Sequence, residues 1–301
     1  MRCIVLVKQV PDTKNITTET MKDDGTVNRA ALPAVFNPDD LCALELALQV
    51  RDEYGGEVHV ITMGPPRAVD ILRDALCRGA DEACLITDRR FAAADTLATS
   101  YTLCKAIKKL GDYDLIFCGS QAIDGDTAQV GPQVAEKMGL PQVTYAQEIS
   151  IEDGKLYVRR EVEGGYEILK LSAPALITVA GGYVIPRPKN AMRLIQYRNA
   201  TTHLSVPAQV KEKYPDIAEE ELNTKVDQQM KLLKDKGLLI NVLTADDINV
   251  EDERIGKAGS PTLVWKVQTV TLQTSECKEI ESSESGINSL MRELLNDRVL
   301  G

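Results

Sequence analysis

Short apolar runs alternate with amphipathic stretches along the first half of the chain. Residues 2–8 read as a strand, as do Glu57–Met63, Ala83–Ile86 and Tyr113–Cys118. Helical patterns lie between them. Asn37-Pro-Asp-Asp40 opens the first: asparagine suits an N-cap, proline the first turn, and two acids the positive end. Leu41, Leu44 and Leu48 share one apolar face, and Gly55-Gly56 ends the helix. A second helix runs from Gly64-Pro-Pro66 to Arg78, stopped by Gly79. Asp95 caps a third, which passes through Leu97, Tyr101, Leu103 and Ile107 to Gly111. A fourth follows through Val134, Ala135 and Met138. Strands alternating with helices predict an α/β fold, a doubly wound parallel sheet with helices on both faces.

From about residue 142 the pattern changes. Val143–Ile151, Leu156–Val162 and Tyr166–Leu171 read as antiparallel strands joined by glycine turns. Pro174–Val179 is a further buried strand, Gly181–Pro188 a surface loop, and a helix runs to about Arg198. Residues 1–199 thus form one α/β domain, 200–240 a charged helical insertion, and 241–301 a thinly apolar C-terminal arm that needs another surface to pack on.

Composition narrows the function. An apolar share of 44% over 301 residues supplies a core, and a net charge of −10 argues against nucleic acid or an anionic membrane as partner. The start lacks the long apolar stretch of a signal peptide, and no run is long enough to span a bilayer. Seven cysteines without a Cys-x-x-Cys pair suit a reducing cytoplasm. The only two histidines, His59 and His203, are far apart in sequence, and no metal site is expected.

The candidate chemistry centres on Cys118-Gly-Ser-Gln-Ala-Ile-Asp-Gly-Asp-Thr-Ala-Gln-Val-Gly131. Strand, small polar turn and helix place main-chain N–H groups where a phosphate can bind. Gly119 lets a ligand approach the backbone, and Gly125 relieves the turn. Thr127 and Gln129 are neutral donors. Asp124 and Asp126 either accept from ribose hydroxyls or cap the helix. A tight turn with an Asp cap is the plain alternative. If the sheet runs outward from the first strand in both directions, ligands bind where the first and fourth strands part. The ends there are Lys8, Gln9, Val10 and Pro11 on one side and Cys118, Gly119, Ser120 and Gln121 on the other. The start of the Asn37 helix and Met63-Gly64 close the same pocket. Neither Gly-x-Gly-x-x-Gly nor a P-loop motif is present.

Several of these stretches together resemble the electron-transfer flavoprotein β subunit. They are Val-Leu-Val-Lys-Gln-Val near the start, Asn37-Pro38, Gly119-x-Gln-Ala-Ile-Asp124 with Asp126 and Gln129, and Gly164-Gly165. Thr244-Ala-Asp-Asp-Ile248 and Gly259-Ser-Pro-Thr262 extend the match, which covers residues 1–199 and roughly 240–270. The resemblance implies an adenine-nucleotide α-hydrolase-like sheet with an antiparallel addition. It also implies a heterodimer with an α subunit that carries FAD, on which the arm would pack. It puts Leu6, Asn37, Pro38, Asp39, Asp40 and Met63 near the adenine and ribose. It puts Gly119, Ser120, Gln121, Ala122, Ile123, Asp124, Gly125, Asp126, Thr127, Ala128, Gln129 and Val130 around the phosphates.

Val27–Asn37 and Asp95–Tyr101 resemble the electron-bifurcating branch, whose β subunit holds a whole second FAD. There a hydride from NADH reduces that FAD. One electron passes to the α-subunit FAD and on to an acyl-CoA dehydrogenase, the other to ferredoxin or flavodoxin. Asp95, Thr96 and Thr99 would then meet the flavin ring, with the first N–H groups of their helix as donors. The alternative is a non-bifurcating subunit with structural AMP, which only docks a dehydrogenase. The family's docking loop falls near Val184–Ile195, and this sequence keeps Pro186-Arg187 but departs beyond it.

Overall fold

The structure is a computed structural model and describes residues 1–12, 32–215, 217–262, 278–297 and 299, apart from the side chain of Glu220. The chain divides into two units, Met1–Trp265 and Lys266–Gly301.

In chain order the first unit begins β1 (Arg2–Leu6), β2 (Gln9–Pro11), β3 (Ala34–Phe36), α1 (Pro38–Tyr54) and β4 (Glu57–Met63). Next come α2 (Val69–Arg78), β5 (Glu82–Ile86), α3 (Thr96–Leu110), β6 (Leu115–Gly119) and α4 (Val130–Met138). The antiparallel part is β7 (Gln142–Glu152), β8 (Lys155–Val162) and β9 (Gly165–Leu171), followed by β10 (Ala175–Val179) and α5 (Ala191–Tyr197). The unit ends with β11 (Thr201–Thr202), α6 (Val206–Lys213), α7 (Glu219–Asp235) and β12 (Leu239–Leu243). Among the described residues the main sheet has ten strands, in the order β11-β12-β5-β4-β1-β6-β10-β7-β8-β9. Pairing is parallel from β11 to β7 and antiparallel from β7 to β9. The doubly wound sheet with an antiparallel addition is therefore as expected.

The central strands read as unbroken apolar runs because both of their faces are covered. In β1, Cys3 and Val5 pack into one core with α1 and α2, while Ile4 and Leu6 pack into the other with α3 and α4. In β6, Leu115 and Phe117 join the first core and Ile116 and Cys118 the second. This alternation is the two-residue period of a strand.

The C-terminal third departs from expectation. Residues 200–240 do form a helical pair, α6 and α7, closed on a small core of Val206, Val210, Leu222 and Leu233. The stretch after 240, expected as part of an arm, instead supplies β12, which pairs with β5 inside the sheet. Ala245, Ile248 and Ile255 then complete the core that holds α3 and α4. A few well-spaced apolar residues suffice there because the sheet edge and α3 offer a ready surface, which an average over the segment conceals. The second unit holds α8 (Glu284–Asn296), capped by Ser283. No helix among the described residues is long and apolar enough to cross a membrane.

Candidate functional site

The crevice follows from how β1 and β6 end. They pair in parallel up to Leu6 and Cys118. Beyond that the chains part: the Val7 N–H donates to the Ile61 carbonyl of β4, and the Ser120 N–H to the Val179 carbonyl of β10. Asp40, from the first turn of α1, closes the fork. Its Oδ2 accepts from the Lys8 N–H at 2.8 Å and its Oδ1 from the Gly119 N–H at 2.9 Å. Burial pushes the Asp40 carboxyl up to about 7, against the pull of those two donors and of Asn37.

Asn37 does not cap α1, contrary to the sequence expectation. Its fully buried side chain bridges to the loop after β6, donating to the Gln121 carbonyl at 2.8 Å and accepting from the Ile123 N–H at 3.2 Å. Asp39 accepts from the Ser120 hydroxyl at 2.5 Å. The Asn-Pro-Asp-Asp start of α1 is thus a clamp on the β6 loop.

Gly119 also serves the packing of the fork. A Cβ there would lie 2.5 Å from Asp40 Oδ1 and 2.6 Å from Asp39 Cβ, so the residue makes room for the α1 start. Gly125 has no left-handed φ, and a Cβ on it would meet nothing. The left-handed positions of this loop are Asp126 and Ala128, with φ of 49° and 54°. Neither Asp124 nor Asp126 caps α4, whose N-cap position is Gln129 without a side-chain bond. Asp124 instead takes the Lys8 ammonium on both oxygens, each at 2.7 Å.

The main-chain N–H groups of Thr127, Ala128, Gln129, Val130 and Gly131 donate to no other described residue. Five donors at one helix start, beside a parting of strands, form a donor set for an anionic group. Leu6 and Val10 are buried beneath the crevice. Val10 is held in the β2–β3 hairpin, opposite Val35. Gln9 reaches the Arg67 carbonyl at 3.4 Å. Met63 ends β4, and the Gly64 N–H bonds to the Ile86 carbonyl. Gly131 is a packing glycine, since a Cβ would meet Cys118 Sγ at 2.7 Å and Thr178 at 2.8 Å. Residues 27–31 of the stretch quoted for the bifurcating branch lie outside the described residues.

The start of α3 is occupied by protein. Asp95 Oδ1 caps the Leu97 and Ala98 N–H groups, and its Oδ2 accepts from the Thr262 N–H and hydroxyl. Burial would raise this carboxyl, but the hydrogen bonds from Ala98, Thr262 and Leu97 outweigh it and hold it below the usual range. Thr96 donates to Gln129 Oε1 at 2.9 Å and accepts from Gln133 at 3.2 Å, tying α3 to α4. The Thr99 N–H bonds to the Asp95 carbonyl. Sequence reasoning missed Gly181, where a Cβ would sit 2.5 Å from Asp39 Oδ1. The Gly181-Gly182 pair after a buried strand was its signal. It also missed that Ser260 and Thr262 would anchor Asp95.

Residues 24–201 match the electron transfer flavoprotein domain family. The chain is also similar to the electron transfer flavoprotein subunit beta of Thermoanaerobacterium thermosaccharolyticum, with 42% identity over 93% of this chain and 92% of the relative. The chain belongs to the electron transfer flavoprotein family, with β subunits as its relatives. Two further family relatives carry complex names. The caffeyl-CoA reductase-Etf complex subunit CarD of Acetobacterium woodii is 51% identical over 59% of this chain and 68% of its own length. The acryloyl-CoA reductase electron transfer subunit gamma of Anaerotignum propionicum is 50% identical over 59% and 67%. Electron transfer flavoproteins work with flavin or nucleotide cofactors, and the donor set described above fits the phosphates of such a group.

Proposed function

We propose that this chain is the β subunit of a heterodimeric, electron-bifurcating electron transfer flavoprotein, holding FAD by its adenylate end in the β1–β6 crevice. One observation carries the reading: five unengaged main-chain N–H groups, at Thr127–Gly131, stand at the start of α4 beside the fork. When bound, FAD would supply the redox chemistry, with NADH as hydride donor and the α-subunit FAD and ferredoxin or flavodoxin as acceptors. The chain's own work is binding and orientation. The α4 start receives the phosphates, Leu6 and Met63 line the adenylate side, and Asn37, Asp39 and Asp40 keep the fork rigid. No side chain of the crevice is asked to move a proton.

The coenzyme A reductase names of two relatives support an acyl-CoA dehydrogenase-type flavoenzyme as partner. Ile185, Met192 and Ile195 stand exposed near a loop anchored by Arg187, whose guanidinium forks onto the buried Glu45 at 2.8 and 3.1 Å, and this supports docking at that loop. Ile287, Met291 and Leu295 form an exposed apolar stripe on α8, which supports packing of the segment after residue 265 on the α subunit. The six described cysteines are free and buried, in keeping with a cytoplasmic setting.

A second reading, with AMP alone in the crevice, is favoured by the start of α3. Asp95 and Thr96 spend their polar atoms on the protein, leaving less for a flavin ring. The nucleotide content of the purified heterodimer decides. Two flavins per αβ pair are expected. One flavin with one AMP would establish the second reading, and a heterodimer lacking any adenylate in the β subunit would refute both.

A further inference from the structure

The start of α4 lacks the usual means of holding itself. No side chain caps it, and its first turn holds no acid. Pro132 has no N–H to give, so the first bond closing the helix runs from the Gln133 N–H to the Gln129 carbonyl, at 3.0 Å. Two left-handed residues, Asp126 and Ala128, lead into it. A helix end in this condition frays unless something else fixes it. The neighbouring α3 has the ordinary remedy, because Asp95 takes the Leu97 and Ala98 N–H groups. The same remedy at α4 would fill the donors that an anionic ligand needs.

The α4 start is held from the side instead. Thr96 and Ser100, one turn apart on α3, meet Gln129 and Gln133, one turn apart at the start of α4. Gln133 is the centre of the tie. Its Nε2 donates to Thr96 Oγ1 at 3.2 Å, and its Oε1 accepts from the buried Ser100 hydroxyl at 3.0 Å. Thr96 passes the tie on, donating to Gln129 Oε1 at 2.9 Å. One turn further along α3 the Cys104 thiol donates to the Val134 carbonyl at 3.7 Å, and apolar packing takes over. Gln133 therefore fixes the helix start by its main chain and by both ends of its side-chain amide, and uses none of the five open N–H groups to do so. We infer that Gln133 is a positioning residue for nucleotide binding: with Thr96 and Ser100 it stands in for the missing cap of α4, so that the helix start is rigid while its N–H groups stay open to a phosphate. It acts through the α4 main chain, not by touching the ligand. The inference rests on the adenylate reading of this crevice and adds to it the part played by α3.

The test uses the αβ complex stripped of nucleotide and titrated in parallel with AMP and with adenosine, which lacks the phosphate. Gln133→Leu keeps most of the side-chain bulk and removes both ends of the tie. It should weaken AMP binding by about five- to tenfold while adenosine stays within about twofold, since only the phosphate uses the α4 start. Thr96→Val removes the hydroxyl that both glutamines share and should have the same effect. Thr96→Ser keeps that hydroxyl and should bind AMP as the unaltered complex does. Thr96→Val with Gln133→Leu should fall within about twofold of the weaker single variant, because the two changes break one tie. Equal losses of AMP and adenosine would mean a general loosening of the fold, and an unchanged AMP affinity would mean that α4 stands without the tie. Either result overturns the inference. An unaltered complex that binds AMP no better than adenosine would take the phosphate away from α4 and refute the adenylate reading as well. Should Gln133→Leu fail to assemble with the α subunit, the Thr96→Val and Thr96→Ser pair decides alone, valine being close to threonine in shape.

Discussion

Asp40 meets two opposed demands. It must accept from both halves of the fork, and it must do so out of water, which pushes its carboxyl from an ordinary 3.8 to about 7. The folded state therefore keeps the proton over a range in which the unfolded chain has released it. Stability contributed by this proton is present at low pH and is lost as pH rises toward about 7. Urea unfolding of Asp40→Asn and of the unaltered protein, compared between pH 4 and 8, should show the unaltered protein losing ground as pH rises. Parallel curves would mean that Asp40 does not titrate in this window. Gly119 answers the same crowding from the other side. Gly119→Ala drives a methyl into Asp39 and Asp40, whose backbone cannot step aside cheaply, and should cost about 1–3 kcal/mol in unfolding free energy. A change below about 0.5 kcal/mol, the range of ordinary surface substitutions, would show that the α1 start yields readily.

The loop from Ser120 to Gln129 shows what a sequence conceals. Gly125 looks like the turn residue, yet the left-handed positions are Asp126 and Ala128. Ala128→Val should therefore destabilise more than Gly125→Val, since β-branched residues tolerate positive φ poorly and Gly125 faces open space. Thermal melts of the two variants rank them, and the reverse order would contradict this loop geometry. The strands and helices were legible because their apolar periods differ, 2.0 against 3.6 residues. The switch point was legible too, once four strands had been placed in order. Hydrogen-bond partners were not. Asn37 and Asp95 both precede helices and look alike as caps, but only Asp95 caps; Asn37 reaches a loop more than eighty residues away in the chain. Such long-range pairing leaves no local trace in one sequence.

At the scale of the molecule, the fold spends its late residues on an early strand. β12 follows the α6–α7 pair yet lies against β5, and with it Ile240, Val242 and Leu243 enter the cores. A chain ending at Gly237 should lose about 5 kcal/mol or more from three unburied aliphatic side chains, and should aggregate through the bared edge of β5. A chain ending at Trp265 keeps the whole first unit and should stay folded. Equal solubility and melting temperature of the two truncations would contradict this account. The position of β12 also sets a timetable for synthesis. Strands β1, β4, β6 and β10, with the fork between them, are all made before residue 180 leaves the ribosome. The edge of β5 must wait for residue 243, and at 5–20 residues per second that leaves it uncovered for several seconds. During that interval the β1–β6 crevice is complete while the far edge is still open. A ligand entering then would brace the half-made sheet on one side, and a chaperone would have the other side to hold.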